Sequence, residues 1–287
     1  MQLTSHAGGA LALLEAVLPG STVAFAWLGQ AGFLVRHGGL RLLIDPYLSD
    51  HLARKYAGTE FPHTRMMPPP LDAAALRDID LVLCSHRHSD HADPGSLGLL
   101  ARGNPACRFI VPRAELATIS QLGVPLTQLI AANAGDILRV SEALEIQVLP
   151  AAHETLMLNT AGEHHFLGFL LRMNEFTIYH SGDSLVYQGL VERLRQQAVD
   201  LALLPVNGRS ERLRERGIAG NMTFPEAVEL CRAAGIGSMI PHHFGMFAFN
   251  TADPAELQQQ IERLDAAAPR CLLPDVRCYY AWIARNP

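Results

Sequence analysis

No basic tract runs through this chain, whose 23 Lys and Arg are outnumbered by 28 Asp and Glu for a net charge of −5. Binding a nucleic-acid backbone requires clustered cations, so a long nucleic acid is not an expected partner. The one Arg-dense stretch, residues 209–216, also carries Glu211 and Glu215 and reads as a solvated face. Paired cysteine spacing is missing too. Cys84, Cys107, Cys231, Cys271 and Cys278 are odd in number, which predicts free or buried thiols in a reducing, cytoplasmic compartment. Near the start, Leu11-Ala12-Leu13-Leu14 is interrupted by Glu15 and has no basic residue ahead of it. That pattern fits neither a signal peptide nor a membrane span, and no membrane partner is expected. Internal repeats and long low-complexity segments are absent, and Met67-Pro68-Pro69-Pro70 is a stiff connector too short to join domains. At 287 residues the chain is long enough to bury a substantial core. An apolar content of 49% allows a homo-oligomer without requiring one.

What the chain does have is histidine and aspartate in an ordered pattern. Ser85-His86-Arg87-His88-Ser89-Asp90-His91 follows the apolar run Ile79-Asp80-Leu81-Val82-Leu83-Cys84, which reads as a buried strand ending where the histidines begin. In an extended segment His86 and His88 point to one side, so one ion can take both, while Arg87 points away. Asp90 and His91 follow a turn later, within reach of a second ion, as a two-metal hydrolytic site requires. A lone buried histidine is usually a satisfied core residue. Three histidines and an aspartate within six residues have no structural reason to cluster, so the metal reading takes precedence. His153 follows the alternating run Leu144-Glu145-Ile146-Gln147-Val148-Leu149-Pro150, and Asp183 follows the strand-like Phe176-Thr177-Ile178-Tyr179-His180 in a Ser-Gly-Asp-Ser turn. His242-His243 follows Ser238-Met239-Ile240-Pro241. Alone, Asp183 reads equally well as turn chemistry. Four repeats of strand, turn and ligand-type side chain point to one centre.

In this order the motifs resemble the metallo-β-lactamase superfamily, whose signature is His-x-His-x-Asp-His followed by a separate His, an Asp and a final His. The resemblance implies that His86, His88 and His153 hold one divalent metal ion and Asp90, His91 and His243 a second, with Asp183 bridging them. Placement of the last ligand two residues after an Ile-Pro pair selects His243 over His242. Trp27-Leu28-Gly29-Gln30-Ala31-Gly32-Phe33, Ile44-Asp45-Pro46-Tyr47, Tyr179-His180-Ser181-Gly182-Asp183-Ser184, Leu204-Pro205-Val206-Asn207-Gly208-Arg209 and Gly220-Asn221-Met222-Thr223 are similar to the UlaG-like, L-ascorbate-6-phosphate lactonase branch. The fold implied is an αββα four-layer sandwich of the α+β class, two packed mixed sheets flanked by helices, forming a single domain over residues 1–287.

The resemblance further implies a hydrolase that uses a metal-bound hydroxide, since a metal lowers the pKa of a water from near 16 toward about 7. Zinc is the first expectation, with manganese and iron also suited to imidazole and carboxylate ligands. A small phosphorylated sugar acid with a lactone or ester bond is the expected substrate. Asp90 and Asp183 are the candidate proton-handling and bridging groups. His242, His180 and Asn207 are candidate donors to the oxygen that gains charge. Arg209 is the candidate phosphate contact, and His165, beside His164, either lines the mouth of the site or lies in a surface loop. Asp45 either orients a ligand imidazole or is a turn residue before Pro46. Two other readings use the same ligands: a phosphodiesterase acting on a cyclic nucleotide, RNA or a phospholipid headgroup, and a non-catalytic metal-binding protein.

Periodicity predicts sheet over 21–33 and 40–45 with Gly38-Gly39 as the turn between strands. Helices are expected over 94–101, 113–122, 185–197, 224–234 and 254–267, and Thr223 with Glu226 forms a capping box for the fourth.

Overall fold

The computed structural model describes residues 2–283. The chain divides into two compact units, Met1–Ala132 with Asp275–Pro287, and Asn133–Pro274.

The first unit is built on an eight-stranded mixed sheet. Its strands in chain order are β1 (Gln2–Ala7), β2 (Val23–Gly29), β3 (Gly32–His37), β4 (Leu40–Ile44), β5 (Leu81–Leu83), β6 (Arg108–Pro112) and β7 (Leu129–Ala132), and the last strand of the chain, Cys278–Ile283, inserts between β1 and β2. β2, β3 and β4 form an antiparallel meander, after which β4 to β7 run parallel. Every residue of β2 is buried. Alternation sends Ala24, Ala26 and Leu28 to one core, where they meet Leu34, Leu43, Val82 and Phe109. Helices α1 (Gly9–Glu15), α3 (Leu97–Gly103) and α4 (Leu116–Ser120) supply Ala10, Leu13, Leu97, Leu100 and Ile119 to that core, while the short α2 (His51–Lys55) follows β4.

The second unit carries a seven-stranded mixed sheet. β8 (Ile137–Ser141), β9 (Leu144–Pro150), β12 (Leu167–Met173) and β13 (Phe176–His180) pair antiparallel. β14 (Leu201–Pro205), β15 (Ser238–His242) and β16 (Arg270–Cys271) extend it in parallel from β13. The two-residue strands β10 (Ala152–His153) and β11 (Thr155–Leu156) form a separate small hairpin. Four helices belong to this unit: α5 (Leu190–Arg195), α6 (Glu211–Glu215), α7 (Phe224–Ala234) and α8 (Pro254–Glu262). The protein therefore has two mixed sheets flanked by helices, as expected. All five cysteines are free thiols.

The helix over 224–234 forms as predicted, and Thr223 and Glu226 close its capping box. The region 21–33 splits into β2 and β3 because Gln30 adopts a positive φ of 52° between them. Of 185–197 only α5 is helical, since the Leu185 amide is bonded to the Ala152 carbonyl and Gly189 starts the helix at φ 85°. Residues 113–122 form a 3₁₀ turn, Arg113–Glu115, followed by α4.

At the start of α7, Glu226 also accepts two 2.6 Å hydrogen bonds from the Arg209 guanidinium. That pairing, with the Thr223 amide and hydroxyl, outweighs partial burial and holds the Glu226 carboxyl down at about 2. A carboxylate with a lowered folded-state pKa contributes stability above its unfolded pKa and loses it as pH falls toward the folded value. Both side chains are more than a third exposed, so solvent screening holds the gain to about 1 kcal/mol or less. Glu226→Gln is expected to lower the urea midpoint at pH 7, with the difference from the parent disappearing between about pH 4.5 and 2.

Candidate metal centre

In the first unit the parallel pairing of β4 and β5 sets Asp45 beside the residues that follow β5, with the Asp45 amide bonded to the Leu83 carbonyl at 2.9 Å. Carboxyl ends of parallel strands are where α/β sheets place ligand-binding groups. Asp45 is fully buried and takes a positive φ of 43°. Its Oδ1 accepts from the Ser85 amide at 2.7 Å, and its Oδ2 lies 2.6 Å from Ser85 Oγ and 2.7 Å from His91 Nδ1. Because the Ser85 hydroxyl proton goes to Asp45, Ser85 Oγ acts as acceptor toward His86 Nδ1, 3.0 Å away. The network thus fixes the tautomer of both imidazoles with the proton on Nδ1. In the neutral form of each ring the Nε2 atom then carries the lone pair. Of the two readings of Asp45, the structure displays the one in which it orients an imidazole.

The rest of the motif gathers around these rings. His88 lies edge-on to His86 at 4.6 Å between centroids, and His86 lies 4.0 Å from His91. Asp90 Oδ2 is 3.8 Å from His91 Nε2 and accepts 2.8 Å from Gln30 Nε2. Gln30 sits in the β2–β3 turn, where its carbonyl takes the Trp27 indole N–H at 2.9 Å. Its hold on Asp90 was not predicted; the run Trp27-Leu28-Gly29-Gln30 was the available signal. Arg87 is turned outward to Glu115 at 3.4 Å.

In the second unit, parallel β13 and β15 flank β14 and end at the same edge, which delivers Asp183 and His243 from the strand exits on either side of β14. Gly182 precedes Asp183 at φ 59°, and His243 itself adopts φ 62°. His243 Nε2 lies 3.1 Å from Asp183 Oδ2, with both side chains almost wholly buried. His242, the alternative, stacks instead on His180 at 4.9 Å with an interplanar angle of 9°. The Gly182 amide donates to His180 Nδ1 at 3.1 Å, so the His180 proton resides on Nε2. His153, at the end of β10, packs its ring 5.0 Å from Phe166 and is followed by Glu154 at φ 66°.

The expected substrate contacts fare differently. Both ends of the Arg209 fork are engaged by Glu226, and Nη1 also donates to the Asn221 carbonyl. A guanidinium held this way by a carboxylate is a structural tie, and as a phosphate contact Arg209 would have to share its fork with Glu226. Asn207 donates to Asn250 at 2.9 Å and accepts from Asn221 at 3.0 Å, so its amide braces three segments of the unit. The His165 amide bonds to the Met157 carbonyl and places His165 in the hairpin next to Phe166.

A divalent cation suits these residues on two observations. Imidazoles whose Nδ1 protons are committed to a carboxylate or hydroxyl are the form that metal-binding histidines take. Ligand atoms held about 2.0–2.2 Å from a tetrahedral ion stand about 3.4 Å apart, close to the 3.1 Å between Asp183 and His243. No thiolate competes: Cys84, next to Ser85, is buried, and burial with the nearby Asp45 charge pushes its thiol well up.

Comparison with known proteins agrees with this geometry. The family model described as Beta-lactamase superfamily domain matches residues 40–244. A metal-dependent hydrolase of Pyrobaculum aerophilum is 28% identical over 243 residues, covering 84% of this chain and 92% of that protein. A probable L-ascorbate-6-phosphate lactonase UlaG of Escherichia fergusonii is 28% identical over 273 residues, covering 85% of this chain and 75% of the relative. The solved structure of Igni18, a metallo hydrolase of Ignicoccus hospitalis, shares the fold with a TM-score of 0.66 at 22% identity, over 92% of this chain and 100% of that one. The family match spans well over half of the sequence, and the chain belongs to the metallo-β-lactamase superfamily, with UlaG-like proteins among its relatives.

Proposed function

We propose that this protein is a metal-dependent hydrolase that opens a lactone or ester of a small molecule. His86, His88 and His153 would hold one divalent cation, and Asp90, His91 and His243 a second, with Asp183 shared; zinc is the first candidate, then manganese and iron. The observation that carries this reading is the buried Asp45–Ser85 network, which holds His86 and His91 in the tautomer a metal requires. Bound there, the cations would supply Lewis acidity and lower the pKa of a water.

The chain's own residues supply the rest. Asp90, held by Gln30, can take a proton and return it to the leaving alkoxide. His180 carries a proton on Nε2 inside a buried stack with His242, a placement suited to donating to an oxygen as it gains charge. Similarity to a probable lactonase over most of the chain favours a carbonyl over a phosphorus centre. With Arg209 tied to Glu226, the proposal does not depend on a phosphate on the substrate.

Metal-loaded protein assayed on γ-butyrolactone and L-ascorbate-6-phosphate beside a cyclic nucleotide and bis-p-nitrophenyl phosphate tests the reading. Carbonyl substrates are expected to turn over faster than both diesters. The opposite ranking makes the protein a phosphodiesterase, and turnover of none of the four overturns these substrates while leaving the metal-holding residues as proposed.

A further inference from the structure

Four exposed large apolar side chains lie on the segments that leave His153 and Asp183. Leu156, Met157 and Leu158 are 43%, 52% and 51% exposed, and Val186, three residues past Asp183, is 45% exposed. The backbone brings the two segments together: Ala152 pairs with Leu156 across β10–β11, and the Leu185 amide donates to the Ala152 carbonyl at 2.8 Å. The hairpin is braced at its base, where the His165 amide meets the Met157 carbonyl and Leu158 bridges to His164. Its tip is closed by Asn159 with Glu163. The hairpin is therefore built by its own hydrogen bonds, and it leaves about half of each of these apolar side chains exposed.

Short exposed hairpins are ordinarily protected by charge, and contiguous apolar surface commonly marks a binding site. Residues 154–165 contain no Lys or Arg and carry Glu154 and Glu163, and residues 184–189 contain no charge at all. The two segments offer a phosphorylated or carboxylated group no Lys or Arg of their own, with Arg193 near His164 and Tyr187 as the neighbouring cation, and their apolar side chains suit an uncharged aliphatic group.

We propose that this lip, Leu156, Met157, Leu158 and Val186, binds an uncharged aliphatic chain carried by the ester or lactone that the neighbouring ligands hydrolyse. The inference rests on the proposed hydrolase reading and names its substrate class. Each methylene laid on a half-exposed surface gains about half the full transfer free energy, or roughly twofold in kcat/KM.

The test compares γ-butyrolactone, γ-octanolactone and γ-dodecanolactone with the parent protein and with the triple variant L156S/M157S/L158S. The ratio of kcat/KM between long and short lactones removes any general loss of activity, and a melting curve checks folding. The parent is expected to gain about twofold per methylene over the first few carbons, with the gain flattened in the variant. Equal chain-length dependence in the two proteins overturns the proposal. So does an unchanged dependence with a shift from dimer to monomer in sedimentation, which would make the lip a contact between copies. Equilibrium dialysis of 1-butanol and 1-decanol reads the lip without turnover. Failure to hydrolyse any lactone with preferential decanol binding sinks the reaction alone, and hydrolysis without chain-length preference sinks the lip alone.

Discussion

Asp183→Asn is expected to lower hydrolytic turnover by about three orders of magnitude and, at the proposed two-ion site, to lower bound metal from two ions per chain toward one. An asparagine fills the same volume, so β13 and its exit turn keep their course. The loss is electrostatic: the buried anion that lies 3.1 Å from His243 Nε2 becomes a neutral amide. A shared carboxylate is the only group in the proposed ligand set that serves both ions, and several kcal/mol of transition-state stabilisation depend on their being held together. About 4 kcal/mol corresponds to that rate change. Steady-state kinetics and elemental analysis on the same preparation check it. If metal stoichiometry and rate both survive, the bridging assignment is wrong.

Asp45→Asn has the second-largest effect, although Asp45 would touch neither metal nor substrate. Its Oδ2 serves both Ser85 Oγ and His91 Nδ1 while Oδ1 serves the Ser85 amide. An asparagine has one acceptor oxygen and must turn its NH₂ toward one of these donors. If that donor is His91, the imidazole has to move its proton to Nε2, the atom a metal needs bare. A loss of about 10–100-fold in metal affinity is the usual scale for such outer partners, measured here by competition with a chelator. Asp45→Ala leaves three buried donors without their acceptor and is expected to cost about 2–4 kcal/mol of stability in urea unfolding.

The ligand-type residues were legible in the sequence because each follows a strand with a short-range signature. Leu144–Pro150 alternates, Phe176–His180 is short and apolar, and the histidine cluster begins one residue past Leu83-Cys84. Capping at Thr223 was legible for the same local reason. What failed depends on partners distant in sequence. β1 pairs with the last strand in a register joining Ala7 to Cys278, a relation that no window of periodicity contains. Gln30 reaches Asp90 across sixty positions. Arg209 is a further case: its position after a strand is visible in the sequence, but its pairing with the capping carboxylate of Glu226, seventeen residues on, is not. Helix lengths were overread where a glycine or a bridge stops the helix, as at Gly189 before α5.

The left-handed backbone at Asp45 and His243 has a consequence for how the protein can be improved. Each non-glycine residue held there costs about 1 kcal/mol or more relative to glycine, a cost tolerated because the conformation aims the side chain. At Asp45 the three hydrogen bonds its carboxylate accepts outweigh that cost, but at residue 243 a library screened for thermal stability alone would relieve it with glycine and discard a proposed ligand. Any stabilisation campaign on this chain has to fix residue 243 before it begins.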